Sequence, residues 1–225
     1  MADRSSVWDP ARLRHRRFAR IADLVARLAH EPDWPAIAVL DAQLRPELAQ
    51  VGMRLVEAPK TRPQLRPDGT IDPATLYEVQ IVERGEIPTR PRNAHDLLNA
   101  LVWAAFPRAK LALSRALADV QRERAAGRAK LPPTRSRAHD RLALIDEGAL
   151  VCVTGTATAS TWIFGHAIYE HAYAGELAVR GIAIDLAVPE IDALAPLAAR
   201  AAVDHALATA ELARVVRAGP GIAVD

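Results

Sequence analysis

Apolar residues recur at helical spacing in several stretches of the chain. Between residues 11 and 30 they fall three or four positions apart with arginines on the other side, which predicts an amphipathic helix. A second helix is predicted to begin near Pro35, since proline is tolerated in a first helical turn. The Ala-rich segment from residue 191 to 216 predicts a long C-terminal helix.

The middle of the chain predicts two consecutive helices. Residues 93–103 place their leucines and Val102 on one stripe. Pro107 interrupts this pattern and can itself begin a further helix that continues to Gly127.

Shorter apolar runs indicate strands. Residues 77–82 alternate between polar and apolar, which is typical of a half-buried strand. The runs 142–145 and 149–153 flank Asp146, Glu147 and Gly148, a pattern that predicts a β-hairpin with a glycine turn.

A helix over about residues 160–173 and a strand over residues 178–188 complete the predicted elements. Helices and strands do not alternate regularly and no internal repeat is present, so a doubly wound sheet is not expected. We therefore predict an α+β fold: a predominantly helical single domain with a small, mainly antiparallel sheet. Within residues 1–225 we expect a helical N-terminal layer at about 11–49, a core at about 50–185 and a C-terminal helix at about 190–217.

Composition agrees with a soluble globular protein. The chain has 225 residues, of which 50% are hydrophobic and 25% charged, and its formal net charge is only +2. The densest basic run, Arg12 to Arg20, could meet phosphates or anionic lipid, but a solvated helix face is the commoner explanation of such a run. Nucleic acid therefore stays open as a partner.

Neither a disulfide nor a membrane segment is expected. Cys152 is the single cysteine and lies in an apolar run, where a thiol usually serves as a small buried hydrophobe. The sequence has no signal-peptide core and no stretch near the ~20 apolar residues that a spanning helix requires. We expect a cytoplasmic location with no membrane partner.

Both asparagines of the chain lie in one short segment, at positions 93 and 99. Asn93 has the position of a helix cap, and Asp96 would meet the positive end of the helix dipole. His95 and Asn99 are four residues apart, so they share one helix face. Such a face can bind a metal, position a water molecule or form an internal polar network.

Two further groups of residues are candidates for the same chemistry. His166 and Glu170 are also four apart on a predicted helix, a spacing with which helices present two metal ligands, although a charge-paired helix face is more common. Asp140 precedes a predicted strand and could serve as a ligand or a general base, with pairing to nearby arginines as the alternative. Phosphate-binding loops, dinucleotide-binding glycine motifs and the serine-hydrolase elbow are absent from the sequence.

The segment IPTRxxNxHDLLNALVWAAFPRAK, residues 87–110, resembles the signature of a bacterial family catalogued as domain of unknown function 3025. Downstream, Asp140, the Asp146–Gly148 turn and the segment 164–170 resemble motifs of the same family in the same order, so the resemblance covers about residues 50–185. The chain departs from the pattern at Ala94 and Ser114, where an aromatic residue and an asparagine are expected. The resemblance carries no established reaction and assigns no roles.

These features favour a metal-dependent hydrolase acting on a phosphate ester or nucleic acid. The cofactor would be Zn, Mn or Mg, since the candidate ligands offer oxygen and imidazole without thiolate. The residues predicted for each role are the following: as metal ligands His95, Asp96, His166 and Glu170; as catalytic groups Asp140 and Lys110; and as contacts to an anionic substrate Arg90, Arg92 and Asn99.

Two alternatives remain open at this stage. In the first, the protein is a non-catalytic binding protein for nucleic acid or an acidic partner, and the same polar residues form a structural network. In the second, it is a structural or assembly protein whose polar core specifies one fold.

Overall fold

The computed structural model of the chain describes residues 7–58, 62–176, 178–210 and 222–224. Its α-helices are α1 (Ala22–Ala26), α2 (Ile37–Leu48), α3 (Tyr77–Arg84), α4 (Ala94–Ala105), α5 (Pro107–Ala125), α6 (Arg137–Gly148), α7 (His166–Ala174) and α8 (Pro196–Thr209). Its strands are β1 (Arg54–Glu57), β2 (Glu86–Thr89), β3 (Ala149–Thr154), β4 (Ala159–Ile163), β5 (Val179–Ala187) and β6 (Ile222–Val224).

The helix α4 forms the centre of the molecule. Nearly all of its residues are buried, and it packs against α1, α2, α5 and α7. A helix that is apolar on almost every side belongs in a core, and the polar residues of its first two turns are the exception. Those residues are therefore held in place by surrounding protein.

The strands form two small sheets that share no strand. The larger one has the order β4-β3-β5-β6, in which β3 pairs antiparallel with β4 and parallel with β5, and β5 pairs antiparallel with β6. In the smaller sheet β1 and β2 are parallel. The predicted class, a predominantly helical α+β fold with little sheet, is confirmed.

The N-terminal layer is helical but interrupted. Residues Pro10–Arg14 and Arg16–Ile21 form two 3-10 helices before α1 begins. The break falls at His15, whose backbone is extended and whose Nδ1 atom accepts a hydrogen bond from the Arg17 amide at 3.3 Å. The extended backbone of His15 thus ends the first segment, and its side chain caps the second.

The strand predicted for residues 77–82 is wrong, because this segment is the helix α3. Val79 and Ile81 are its buried residues, and Leu76, directly before the helix, is buried three positions from Val79, a spacing that fits a helical face. Gly85 ends the helix with a left-handed backbone, φ 66°.

The first strand of the predicted hairpin is also wrong, since residues 142–148 lie in α6. Leu142 and Ile145 are buried while Leu144 is 54% exposed, as on an amphipathic helix. Ser136 caps this helix by accepting a hydrogen bond from the His139 amide at 3.2 Å. The second predicted strand is confirmed as β3.

The helix predicted for residues 160–173 begins later, at His166. Residues Ala159–Ile163 form β4 instead, because β-branched and aromatic side chains pack well on a paired strand. The strand predicted for residues 178–188 is confirmed as β5.

The C-terminal helix is divided by a proline. Residues Pro189–Ala193 form a 3-10 helix, and α8 starts afresh at Pro196. Residues 211–217 of the predicted helix lie outside the described residues. Within the part of the chain that the structure describes, no helix has the length and apolar character to cross a bilayer.

Candidate functional site

The first turns of α4 present the polar residues of the asparagine segment. Asn93 caps the helix, with its Oδ1 atom accepting a hydrogen bond from the Asp96 amide at 2.9 Å. This fixes the start of the helix and with it the direction of His95 and Asn99, which are four residues apart on one face.

His95 and His166 meet across the interface of α4 and α7. Their Nε2 atoms are 3.2 Å apart, and the rings are nearly perpendicular with centroids 4.5 Å apart. The approach depends on Gly165, because a Cβ atom there would lie 2.5 Å from backbone atoms of residues 147, 148 and 149. A glycine before α7 thus allows His166 to reach the end of α6.

The outer nitrogen of each imidazole is bonded to a fixed acceptor. His95 Nδ1 lies 3.0 Å from Glu170 Oε2, and His166 Nδ1 lies 2.8 Å from the backbone oxygen of Asp146. Because a carboxylate and a carbonyl oxygen can only accept, both Nδ1 atoms carry the proton. In the neutral form of each ring, Nε2 then has a lone pair directed at the other ring.

The two imidazoles differ in protonation. Burial lowers the pKa of His166 to about 4, so this ring is neutral near pH 7. The hydrogen bond with Glu170 raises the pKa of His95 above its ordinary value. His166 is therefore a base whose lone pair is available to a cation or to a proton from His95.

Glu147 completes a group of three possible metal ligands. Its Oε2 atom lies 3.4 Å from His166 Nε2, and the ligand atoms of Glu147, His95 and His166 all lie within 4.8 Å of one another. Burial, followed by the negative charge of Asp146, raises the pKa of Glu147. Our sequence prediction placed this residue in a hairpin turn and missed it.

Lys110 is a buried cation beside this group. It is 2% exposed, donates a hydrogen bond to Asn99 Oδ1 at 2.8 Å and forms an ion pair with the Asp146 carboxylate. Its Nζ atom also lies 5.5 Å from the centre of the Trp103 ring. Burial alone would raise the pKa of Asp146, but the charge and hydrogen bond of Lys110, together with the charges of His166 and His95, outweigh it and the pKa is lowered.

Asp96, predicted as a metal ligand, is instead bonded to Arg90. Its carboxylate accepts two hydrogen bonds from the Arg90 guanidinium, at 2.8 and 2.9 Å, and one from the Arg90 amide at 2.8 Å. The predicted substrate contact Arg92 pairs with Asp33 at 2.6 Å on the surface. Both arginines therefore already have carboxylate partners.

The surroundings of Glu170 and Asp140 also differ from those expected for a metal ligand and a catalytic group. Glu170 bonds to the His95 nitrogen that points away from His166, so it orients the His95 ring. Asp140 is exposed in the first turn of α6 and does not line the cleft described below. The strand end that made Asp140 a candidate base is a helix.

A cleft of about 280 Å³ opens beside the group of three ligands. Exposure rises across the group, from 2% for the His166 side chain to 29% for His95 and 51% for Glu147. The described residues that line the cleft are Tyr77, Glu78, Ile81, His95, Asp96, Asn99, Trp103, Lys110, Ser114, Leu117, Gln121, Arg135, His139, Ala143, Asp146, Glu147 and His166. Five of the nine predicted site residues, His95, Asp96, Asn99, Lys110 and His166, thus line one polar opening together with Glu147, Asp146 and Tyr77.

Residues 66–160 match the model of a family described as Protein of unknown function (DUF3025). This match confirms the family that the sequence motifs resembled, and it includes α4, α5 and α6 but stops before α7. No curated protein and no solved structure matches the chain.

Proposed function

We propose that this chain, whose residues 66–160 match the DUF3025 family, binds one divalent metal ion through His95, His166 and Glu147 and uses it to hydrolyse a small substrate. The observation that carries the proposal is the contact between two imidazole Nε2 atoms at 3.2 Å. Two lone pairs at that distance repel each other unless a cation or a proton lies between them.

The distances suit a metal ion. Two nitrogen ligands that are each about 2.0–2.1 Å from a tetrahedral zinc lie roughly 3.3 Å apart. The separations of His166 Nε2 from His95 Nε2 and from Glu147 Oε2, 3.2 and 3.4 Å, are close to this value. Small adjustments of the side chains would therefore complete the coordination.

Groups outside the three ligands support the same role. Metal-bound histidines usually donate their other N–H to a carboxylate or a carbonyl oxygen, which fixes the ring and its tautomer. Glu170 does this for His95, and the Asp146 carbonyl does it for His166.

Three protein ligands leave an open coordination position. Catalytic zinc sites keep a water molecule there, and the ion lowers the pKa of that water to about 7. Two imidazoles and a carboxylate also suit Mn²⁺, and the same ligand set is used by Fe(II) enzymes. The exposed side of Glu147 gives solvent and substrate access to this position.

A structural polar network is the alternative that one observation favours. Since Glu170 raises the pKa of His95, a protonated His95 could donate its Nε2–H to His166 in place of a metal.

A nucleic-acid partner receives less support, because arginines of the basic run make internal contacts. Arg17 is buried and donates to the Glu176 carbonyl at 3.0 Å, and the Arg20 guanidinium lies 4.5 Å from the centre of the Trp162 ring.

Metal analysis distinguishes the two candidates. The protein is purified without a metal-chelating tag, stripped, and titrated separately with Zn²⁺, Mn²⁺ and Fe²⁺, with bound metal measured by elemental analysis. We expect one equivalent of one of these ions, lost in His95→Ala, His166→Ala and Glu147→Gln but kept in His205→Ala, a substitution at an exposed histidine outside the cleft. Wild type that stays below stoichiometric metal after reconstitution would leave only the network.

A further inference from the structure

The charge of the cleft restricts the kind of substrate on which a metal ion bound at this site could act. Among the described residues that line it, four are carboxylates, namely Glu78, Asp96, Asp146 and Glu147, and two are cations, namely Lys110 and Arg135. The histidine at the far side, His139, has a pKa lowered by burial and by Arg124, so it adds no charge near pH 7. With its three histidines counted as neutral, the lining has a formal charge of −2, which a divalent ion neutralises.

Of the two cations, one is bonded to other side chains and the other lies on the exposed side of the cleft. Lys110 is already bonded to Asn99 and to Asp146, and Arg135 is an exposed residue at the cleft. Enzymes that transfer phosphoryl groups surround the non-bridging oxygens with several cationic groups. Because this cleft offers no pair of arginines for bidentate binding among its described residues, it would hold a phosphate dianion weakly.

The remaining polar walls are neutral. Ser114, Gln121 and Asn99 offer hydroxyl and amide groups, and Tyr77 adds a phenol whose pKa is raised by burial, so it stays protonated. Such groups pair with uncharged hydrogen-bonding atoms of a ligand. The volume of about 280 Å³ is at the small end of ligand sites, which excludes most of a polymer.

We propose that the substrate is a small, uncharged carboxylic ester or amide, an inference that rests on the metal-dependent hydrolysis proposed above. Water supplies both the oxygen that attacks the acyl group and the proton that the leaving group takes up. Its oxygen forms a bond to the acyl carbon, the C–O or C–N bond breaks, and the proton lost by the water ends on the leaving oxygen or nitrogen. The products are a carboxylic acid and an alcohol or amine, with no oxidant or second substrate required.

The test compares acyl and phosphoryl substrates on one sample of known metal content. Wild type loaded with one equivalent of zinc is assayed with 4-nitrophenyl acetate and 4-nitroacetanilide, and with 4-nitrophenyl phosphate and bis(4-nitrophenyl) phosphate. We expect hydrolysis of at least one acyl substrate about tenfold faster than by the metal-free protein, a gain of roughly 1.4 kcal/mol. Zinc should accelerate neither phosphate ester.

Controls separate the substrate inference from the metal proposal. Glu147→Gln, checked for folding by circular dichroism, should lose the zinc-dependent rate, while His205→Ala should keep it. Faster zinc-dependent turnover of a phosphate ester, or zinc bound without acceleration of either acyl compound, would overturn the substrate inference while the metal site stands. Protein that binds no metal would overturn the proposed function itself.

Discussion

Replacing Lys110 with methionine should destabilise the fold by removing the cation beside an interior carboxylate. The Lys110 side chain is 3% exposed and that of Asp146 is 22% exposed. Methionine preserves most of the length and volume, so the change isolates the charge. Removing one member of a buried ion pair costs about 3–5 kcal/mol of the free energy of unfolding. Because solvent reaches part of Asp146, we expect the lower end, about 3 kcal/mol.

A double-mutant cycle measured by urea denaturation tests this assignment. For a chain of this size, about 3 kcal/mol corresponds to a melting temperature lowered by roughly 6–12 °C. Asp146→Asn removes the uncompensated charge, so the double variant should be more stable than the sum of the single losses predicts, by about 1.5 kcal/mol or more. Lys130→Met, at an exposed lysine, serves as the control and should stay within about 0.5 kcal/mol of wild type.

Two outcomes would contradict this role of Lys110: a loss of less than about 1 kcal/mol in Lys110→Met, or losses of the two single variants that are additive within about 0.5 kcal/mol. Either result would show that Lys110 does not act by compensating Asp146. The lysine would then be a better candidate for a catalytic group, the role predicted for it from the sequence.

Three further substitutions test the surroundings of the site. Gly165→Ala should cost about 1–3 kcal/mol and weaken zinc binding, because its Cβ would lie 2.5 Å from backbone atoms at the junction of α6 and β3. Glu170→Gln should raise the zinc Kd about 10–100-fold, measured by competition with a chromophoric chelator, because it weakens the bond that orients His95. Asp23→Asn should destabilise the protein less in acid than at neutral pH. Burial would raise the pKa of Asp23, but the hydrogen bonds and the charge of Arg200 outweigh burial, so the pKa lies below its ordinary value of 3.8. The stabilisation by this pair is complete above that pH and is lost as pH falls through the folded pKa, which urea denaturation at about pH 7 and about pH 3 would measure.

The first two of these substitutions have a matched comparison. Gly148→Ala has nothing within 4 Å of its added Cβ, so an equal effect on zinc binding would show that the close approach at Gly165 is unimportant. Glu176→Gln alters an exposed glutamate that pairs with His171, and it should leave the zinc Kd unchanged. A destabilisation by Asp23→Asn that is the same at both pH values would contradict the role of its ion pair.

Predictions from the sequence succeeded where one periodicity dominated a long segment. The cap at Asn93 and the apolar stripe that follows it specify α4, and this also placed His95 and Asn99 on one face. Pro107 and the leucines after it specified α5. Long helices have enough turns for the 3.6-residue period to be distinguished from alternation.

The wrong predictions concern short segments, in which the 3.6-residue period of a helix and the two-residue period of a strand both fit the sequence. Residues 77–82 alternate, but the tertiary packing of α3 against α5 favours the helix. The same ambiguity at residues 142–148 hid Glu147. Had that segment been treated as a helix, His139, Ala143, Asp146 and Glu147 would have shared one face, which is the face that lines the cleft. Spatial proximity of His95 and His166, separated by 71 positions, has no signature in a single sequence.

The direct passage from α6 into β3 restricts how the length of this chain can vary. Gly148 ends the helix and Ala149 begins the strand, so one extra residue at this junction would turn the helix by about 100° relative to the strand. It would also carry Glu147 away from the imidazoles, or exchange the two faces of β3. The segment 126–136 before α6 has no such constraint, since lengthening a surface loop costs little closure entropy. Insertions and deletions among homologous sequences should therefore accumulate at residues 126–136 and avoid positions 148 and 149.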